Sequence, residues 1–194
     1  DAARYLAETV AAHPGQVSIL ALGPVGNLHA AAKLDPAFFT KVRRIACMGG
    51  YLEPLRIGKR EVRELNLSGD PEASLALLAA PCPVTVMSAH VCLQAAFGPA
   101  DIVRTMLWPR WLRGAVLHWL GTFWRYTGEP RFYLWDLLPA VYLTFPEVFE
   151  DRIVACDSAV VDMEQGYLVL RDGRPNGGLH VPSLVREPRR LKRI

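Results

Sequence analysis

"VSILALGPVGNLHAAAKL", running from Val17 to Leu34, decides the fold. Its first half is a continuous apolar run with β-branched residues, the pattern of a strand covered on both faces. The run ends in the turn "GPVGN" and passes directly into "LHAAAKL", whose apolar spacing is helical. Just upstream, "DAARYLAETVAAH" also has helical spacing and stops at "HPGQ", where proline and glycine punctuate the chain.

The same unit recurs downstream. "VRRIACMGG" is a short apolar strand closing on paired glycines, and "DPEASLALLAA" is a helix with Asp70 as N-cap and Pro71 at its first position. "CPVTVMS" is a third strand of this kind. Strand, glycine turn and helix in alternation predict an α/β fold: an open, mostly parallel sheet with helices on both faces, Rossmann-like in plan. From Phe97 the pattern becomes helical and aromatic, and Pro109 and Pro130 divide it into about three helices. The last of them starts near Asp136 and carries Pro139 in its first turn. "RIVACDSAVVDM" and "GYLVLRDG" read as paired strands on either side of a Glu-Gln-Gly turn. A single domain over residues 1–194 is expected.

Composition excludes several classes. A hydrophobic content of 51% is too high for a disordered chain, and the apolar runs are too short to span a bilayer. The tail "VREPRRLKRI" holds five of the 22 basic residues and one of the 19 acidic ones, leaving a body of 17 basic and 18 acidic groups. Nothing spreads a basic stripe over that body, so nucleic acid is not expected as a partner, and with no apolar run long enough to span a bilayer neither is a membrane. The four cysteines (Cys47, Cys82, Cys92, Cys156) are widely separated, with no zinc-type spacing. Buried thiols in a reducing, cytoplasmic setting are the expectation.

In an open sheet of this type, ligands bind beyond the carboxyl ends of the strands. Those ends are Leu22-Gly23, Met48-Gly49-Gly50 and Ser88-Ala89-His90. The long loop after the second end contains Glu64 and Asn66, which alternate across Leu65 and would face one side in an extended segment. A carboxylate with an amide beside it suits a vicinal diol; an ordinary polar loop is the alternative. Asp70 is assigned to capping alone. In "LWDLLPA", Trp135 and Asp136 are either a packed aromatic and an N-cap, or a stacking ring and a metal ligand. A calcium ion would need several oxygens beyond this carboxylate. Of the five histidines only His90 lies at a strand end facing the expected site, and "GRPNGG" reads as a hairpin or surface loop.

Taken together, "ILALGPVGNL", "RRIACMGG", "ELNLSGDPEAS" and "LWDLLPAVYLTFPEVF" resemble, in order and spacing, the inosine-uridine preferring nucleoside hydrolases. The resemblance covers essentially the whole chain. It implies hydrolysis of the N-glycosidic bond of ribonucleosides, with a calcium ion that binds the ribose hydroxyls and activates a water. On this resemblance Glu64 and Asn66 match the ribose-holding Glu-x-Asn. Asp136 matches a metal-binding aspartate, Leu22 a residue offering its main-chain carbonyl to the metal, and Met48 the Met-Gly-Gly close to the sugar. Trp135 stands where many members carry a histidine that protonates the leaving base, and where a purine-specific branch carries tryptophan; it implies stacking and a lean toward purine nucleosides. Trp124 and Tyr126 are candidates for base contact, with core packing as the alternative.

Two departures from the family pattern stand out. No asparagine occurs between Gly50 and Glu64, where the family usually has one that contacts ribose. The aspartate cluster DxDxxxDD, which supplies most of the metal's carboxylates and the catalytic base, is absent. The resemblance therefore implies that this chain matches the carboxyl-terminal two thirds of such an enzyme, and is inactive and unable to hold calcium alone. A non-catalytic nucleoside-binding or interaction module is the second reading. A sheet lacking its first strands exposes an edge, so homo-oligomer formation is expected.

Overall fold

A computed structural model of the protein describes residues 1–172, 178–186 and 188. The loop "GRPNGG", apart from its last glycine, and most of the basic tail lie outside the described residues. Six strands form the main sheet: β1 (Ser18–Ala21), β2 (Arg44–Met48), β3 (Val84–Met87), β4 (Ile153–Cys156), β5 (Leu170–Asp172) and β6 (Leu179–His180). Their spatial order is β1-β2-β3-β6-β4-β5. The first four in that order are parallel, with Ser18 opposite Arg44, Ile45 opposite Val84, and Thr85 opposite His180. β4 runs antiparallel to both its neighbours, so the sheet is mixed and mostly parallel.

The longer helices are α1 (Ala2–Ala12), α2 (Gly26–Leu34), α3 (Pro71–Leu78), α4 (Arg110–Thr127) and α5 (Leu137–Thr144). β2 shows why the apolar strands must be sandwiched. Ile45 and Cys47 join a core with residues of α1, α2 and α3, while Met48 joins a second core with Leu138 and Val141 of α5. Burial at this depth pushes the Cys47 thiol up to about 12, and no disulfide joins the four cysteines. Asp1 and Asp70 cap α1 and α3, accepting from the amides of Ala3 at 3.0 Å and Ala73 at 3.1 Å. Arg44 donates to the carbonyl of Leu143 at 2.9 Å, tying the open end of α5 to the start of β2.

The carboxyl-terminal half departs from the sequence reading in two ways. β4 and β5 do pair, but "SAVVDM" is not a strand extension: Val160–Met163 is a helical turn, with Met163 fully buried. The central β6 was not expected, because two paired residues are too few to show alternation. The aromatic region divides at Pro109 as expected, into a 3₁₀ segment Pro99–Leu107 and α4.

Candidate active site

The carboxyl ends of the parallel strands converge on a cavity of about 270 Å³. Leu22 follows β1, Met48 ends β2 and Ala89 follows β3; all three line it. Glu64, Asn66, Trp135, Asp136 and Tyr126 line it as well. The folded chain thus brings together seven of the eight residues singled out above. Trp124 is outside: it is 54% exposed on the far side of α4, and its neighbour Phe123 faces the cavity instead. The inward positions Val116, Leu120, Phe123 and Thr127 recur at helical spacing, and that phase identifies Phe123.

Glu64 is not on an extended segment. The chain folds around its carboxylate, which is buried and accepts four backbone N–H groups. Oε1 takes those of Gly50 at 3.2 Å, Asn66 at 3.0 Å and Leu67 at 3.0 Å, and Oε2 takes that of Ser68 at 2.6 Å. Ser68 Oγ donates back to the Glu64 carbonyl at 2.7 Å, closing the turn. The glycines explain how the chain comes so close. Gly50 has φ +82°, and a Cβ there would sit 2.5 Å from Leu168 Cδ1; Gly166 has φ +77°, and a Cβ there would run into the Glu64 side chain. Of the paired glycines after β2, Gly50 thus donates to Glu64, and a Cβ on Gly49 would come within 3.1 Å of Glu64 Oε1.

Asn66 turns the other way. Its Nδ2 donates to the Met48 carbonyl at 2.9 Å and approaches Met48 Sδ at 3.3 Å. That leaves its side-chain oxygen as the acceptor turned to other partners. Asp136 precedes α5, but its carboxylate makes no capping bond. Burial without a partner raises its pKa above the usual carboxylate value. The capping alternative for Asp136 thus fails, and its carboxylate stands at the cavity wall. Trp135 packs edge-on to Tyr133, with centroids 5.4 Å apart, which fixes the indole plane.

One wall was invisible in the sequence. A two-residue hairpin, Arg56–Ile57 with Arg60–Glu61, is latched to the end of α4: Lys59 N–H donates to the Thr127 carbonyl at 3.0 Å, and Arg60 Nε to the Tyr126 carbonyl at 3.2 Å. The Arg60 guanidinium lies 5.0 Å from the Tyr126 ring centroid. This segment is the one that departs from the family pattern, and it brings Leu55, Ile57 and Arg63 to the cavity in place of an asparagine. His90 sits behind the site: it accepts from the Leu52 amide at 3.3 Å, and burial lowers its pKa. It does not line the cavity.

Among the described residues no three His, Cys, Asp or Glu side chains cluster closely enough to hold a metal. The site offers one unengaged carboxylate, Asp136, and the backbone oxygen of Leu22. A calcium ion takes six to eight oxygens, so these residues do not fit calcium by themselves.

A mostly parallel sheet with an aromatic-walled cavity at its carboxyl ends defines an α/β protein whose cavity lies where open sheets of this type bind ligands. The chain belongs to the family described as inosine-uridine preferring nucleoside hydrolase, whose model matches residues 1–187. It is 36% identical over 103 residues to uridine nucleosidase 1 of Arabidopsis thaliana, a match covering 53% of this chain and 30% of that protein. Among solved structures, a plant nucleoside hydrolase, PpNRh1, superposes with a TM-score of 0.84 at 22% identity, covering 99% of this chain and 64% of the other. A purine-preferring ribonucleoside hydrolase from Gardnerella vaginalis gives 0.81 at 20% identity, covering 96% of this chain and 61% of the other. The chain thus spans less than two thirds of each of these proteins.

Proposed function

We propose that the protein containing this chain hydrolyses the N-glycosidic bond of ribonucleosides, releasing base and ribose. The observation that carries this reading is the convergence of Glu64, Asn66, Met48, Trp135 and Asp136 on one cavity in a member of this family. Each side chain has a task there. Trp135, held by Tyr133, and the rings of Phe123 and Tyr126 offer apolar faces to the base and exclude water from its side of the cavity. The side-chain oxygen of Asn66 accepts from a ribose hydroxyl. Glu64 offers Oε2, which has a single backbone donor and so retains acceptor capacity. Asp136 is the free carboxylate and Leu22 the carbonyl that would face a metal.

Calcium is part of the proposal for the whole protein only, since the donors of this chain fall short of a site. When bound, it would polarise a water for attack on the sugar. Cytoplasmic residence and a homo-oligomeric state belong to the same proposal.

The aromatic walls favour a large base, and the lean toward purines rests on Trp135. The 36% identity to a uridine nucleosidase favours the pyrimidine alternative. Reducing-sugar release from inosine and from uridine, measured on the whole protein with and without calcium, tests the activity and separates the two bases. Asp136→Ala should abolish the calcium-dependent release. Retained activity in that variant would remove Asp136 from the site, and no release from any nucleoside by the parent would leave the non-catalytic binding module as the reading.

A further inference from the structure

The surface farthest from ordinary globular packing is the stretch 103–126. Four of the five tryptophans are exposed there: Trp108 by 38%, Trp111 by 75%, Trp119 by 49% and Trp124 by 54%. Leu107 is 96% exposed, and Val103 and Met106 are each 66% exposed, within the same stretch. α4 buries only Leu120 and Thr127. So many large apolar side chains exposed within one short stretch mark it as a candidate interaction surface.

Charge says what kind. From Ile102 to Gly128 there is no aspartate or glutamate, whereas Arg104, Arg110, Arg113 and Arg125 all fall within the stretch. Arg104 pairs with Asp101 at 3.9 Å; among the described residues the other three form no ion pair, so the stretch carries a net positive charge. Exposed indoles, a protruding leucine and arginines without acids are the side chains that settle in the headgroup layer of a bilayer. There the indole is half in hydrocarbon, and the guanidinium pairs with lipid phosphate. A second copy of the chain fits less well, because a two-fold contact through this stretch would bring together two surfaces that each carry arginines and no acidic residue.

We propose that this stretch is a peripheral contact surface for anionic lipid. The expectation of no membrane partner rested on span length, and no helix here is long and apolar enough to cross. A peripheral contact needs no span. The inference stands on surface chemistry and does not depend on the proposed activity.

The test is sedimentation of the whole protein with vesicles of phosphatidylcholine alone and of equimolar phosphatidylcholine and phosphatidylglycerol. Binding to the anionic vesicles, weakened by salt and accompanied by a blue shift of tryptophan emission, is the expected result. Leu107→Asp combined with Trp111→Asp should cut the affinity by about tenfold or more. Both side chains are on the surface, so the thermal melt should be unchanged. No sedimentation with anionic vesicles overturns the proposal, as does equal binding by the double variant. If the double variant instead turns an oligomeric parent into a monomer that never bound vesicles, the patch is a subunit interface and the proposal fails.

Discussion

Replacing Glu64 with alanine should unfold this protein more readily before it does anything to a ligand. The carboxylate accepts from Gly50, Asn66, Leu67 and Ser68, and the bonds from Gly50 and Leu67 are buried. Alanine leaves those two N–H groups without an acceptor at a cost of about 1–3 kcal/mol each. Water can reach the other two, so their loss is smaller, about 0.5–1 kcal/mol together. Removing the methylene packed on Gly166 adds about 1 kcal/mol, for a total of roughly 3.5–8 kcal/mol. At about 2–4 °C per kcal/mol for a chain of this size, the midpoint should fall by roughly 7–30 °C. Glu64→Gln should fall between parent and alanine. It keeps an oxygen for three of the donors and turns an NH₂ group against the Ser68 amide, costing about 1–3 kcal/mol. The assay is a thermal melt followed by far-ultraviolet circular dichroism, with a urea titration as an independent measure. If Glu64→Ala melts within about 2 °C of the parent, the carboxylate is not engaged by the backbone in solution and the cradle described here is wrong.

Asp136 predicts the opposite pattern: its carboxylate has no capping bond, so Asp136→Asn should shift the melt by less than about 0.5 kcal/mol while removing calcium-dependent turnover. A large destabilisation would show that the side chain holds the fold. Trp135→Ala should lower turnover of inosine more than that of uridine if the indole stacks on a purine, and equal losses would argue for packing alone. The pair His180–Asp151, with Nδ1 and Oδ2 2.6 Å apart, makes stability depend on pH. Asp151 raises the His180 pKa above 6.5 through a hydrogen bond, so the pair's contribution is complete below 6.5 and is lost as pH rises through the folded-state value. For Asp151, desolvation opposes but the bonds from His180 and Tyr142 prevail, so its pKa lies below 3.8 and its contribution disappears only in acid. The melt of the parent should therefore decline above neutrality relative to that of His180→Ala, and parallel curves would show that the pair contributes nothing.

The elements that position the site were legible because each depends on a local pattern. Continuous apolar runs gave β1, β2 and β3, and Asp70-Pro71 marked the start of α3. What escaped was held by contacts distant in sequence. β6 is two residues long and owes its place to Thr85 on one side and Ile153 on the other. The hairpin wall depends on bonds from Lys59 and Arg60 to the end of α4, which no spacing rule anticipates. Trp124 was a candidate for base contact only as a member of the aromatic stretch, whereas the phase set by Leu120 and Thr127 points Phe123 inward.

Glu64 shows best how a residue can be found correctly and read incompletely. Alternation across Leu65 placed Glu64 and Asn66 on one side as if both were free for a diol, but the carboxylate is already the acceptor around which the loop after β2 closes. The two roles are compatible only within limits. Oε1 is saturated by three donors, so any sugar hydroxyl must approach Oε2, where Ser68 leaves acceptor capacity. A ligand bound there would share an atom with the turn that shapes its own site. Binding and stability should then fall together in Glu64 variants, whereas in Asn66 variants they should separate. Asn66→Ala removes the bond from Nδ2 to the Met48 carbonyl, costing about 1 kcal/mol, while deleting the free oxygen outright. Calorimetric titration of a nucleoside into both variants, set beside their urea midpoints, decides the point. A Glu64→Gln protein that keeps the parent's affinity despite its lower midpoint would show that the carboxylate serves only the chain.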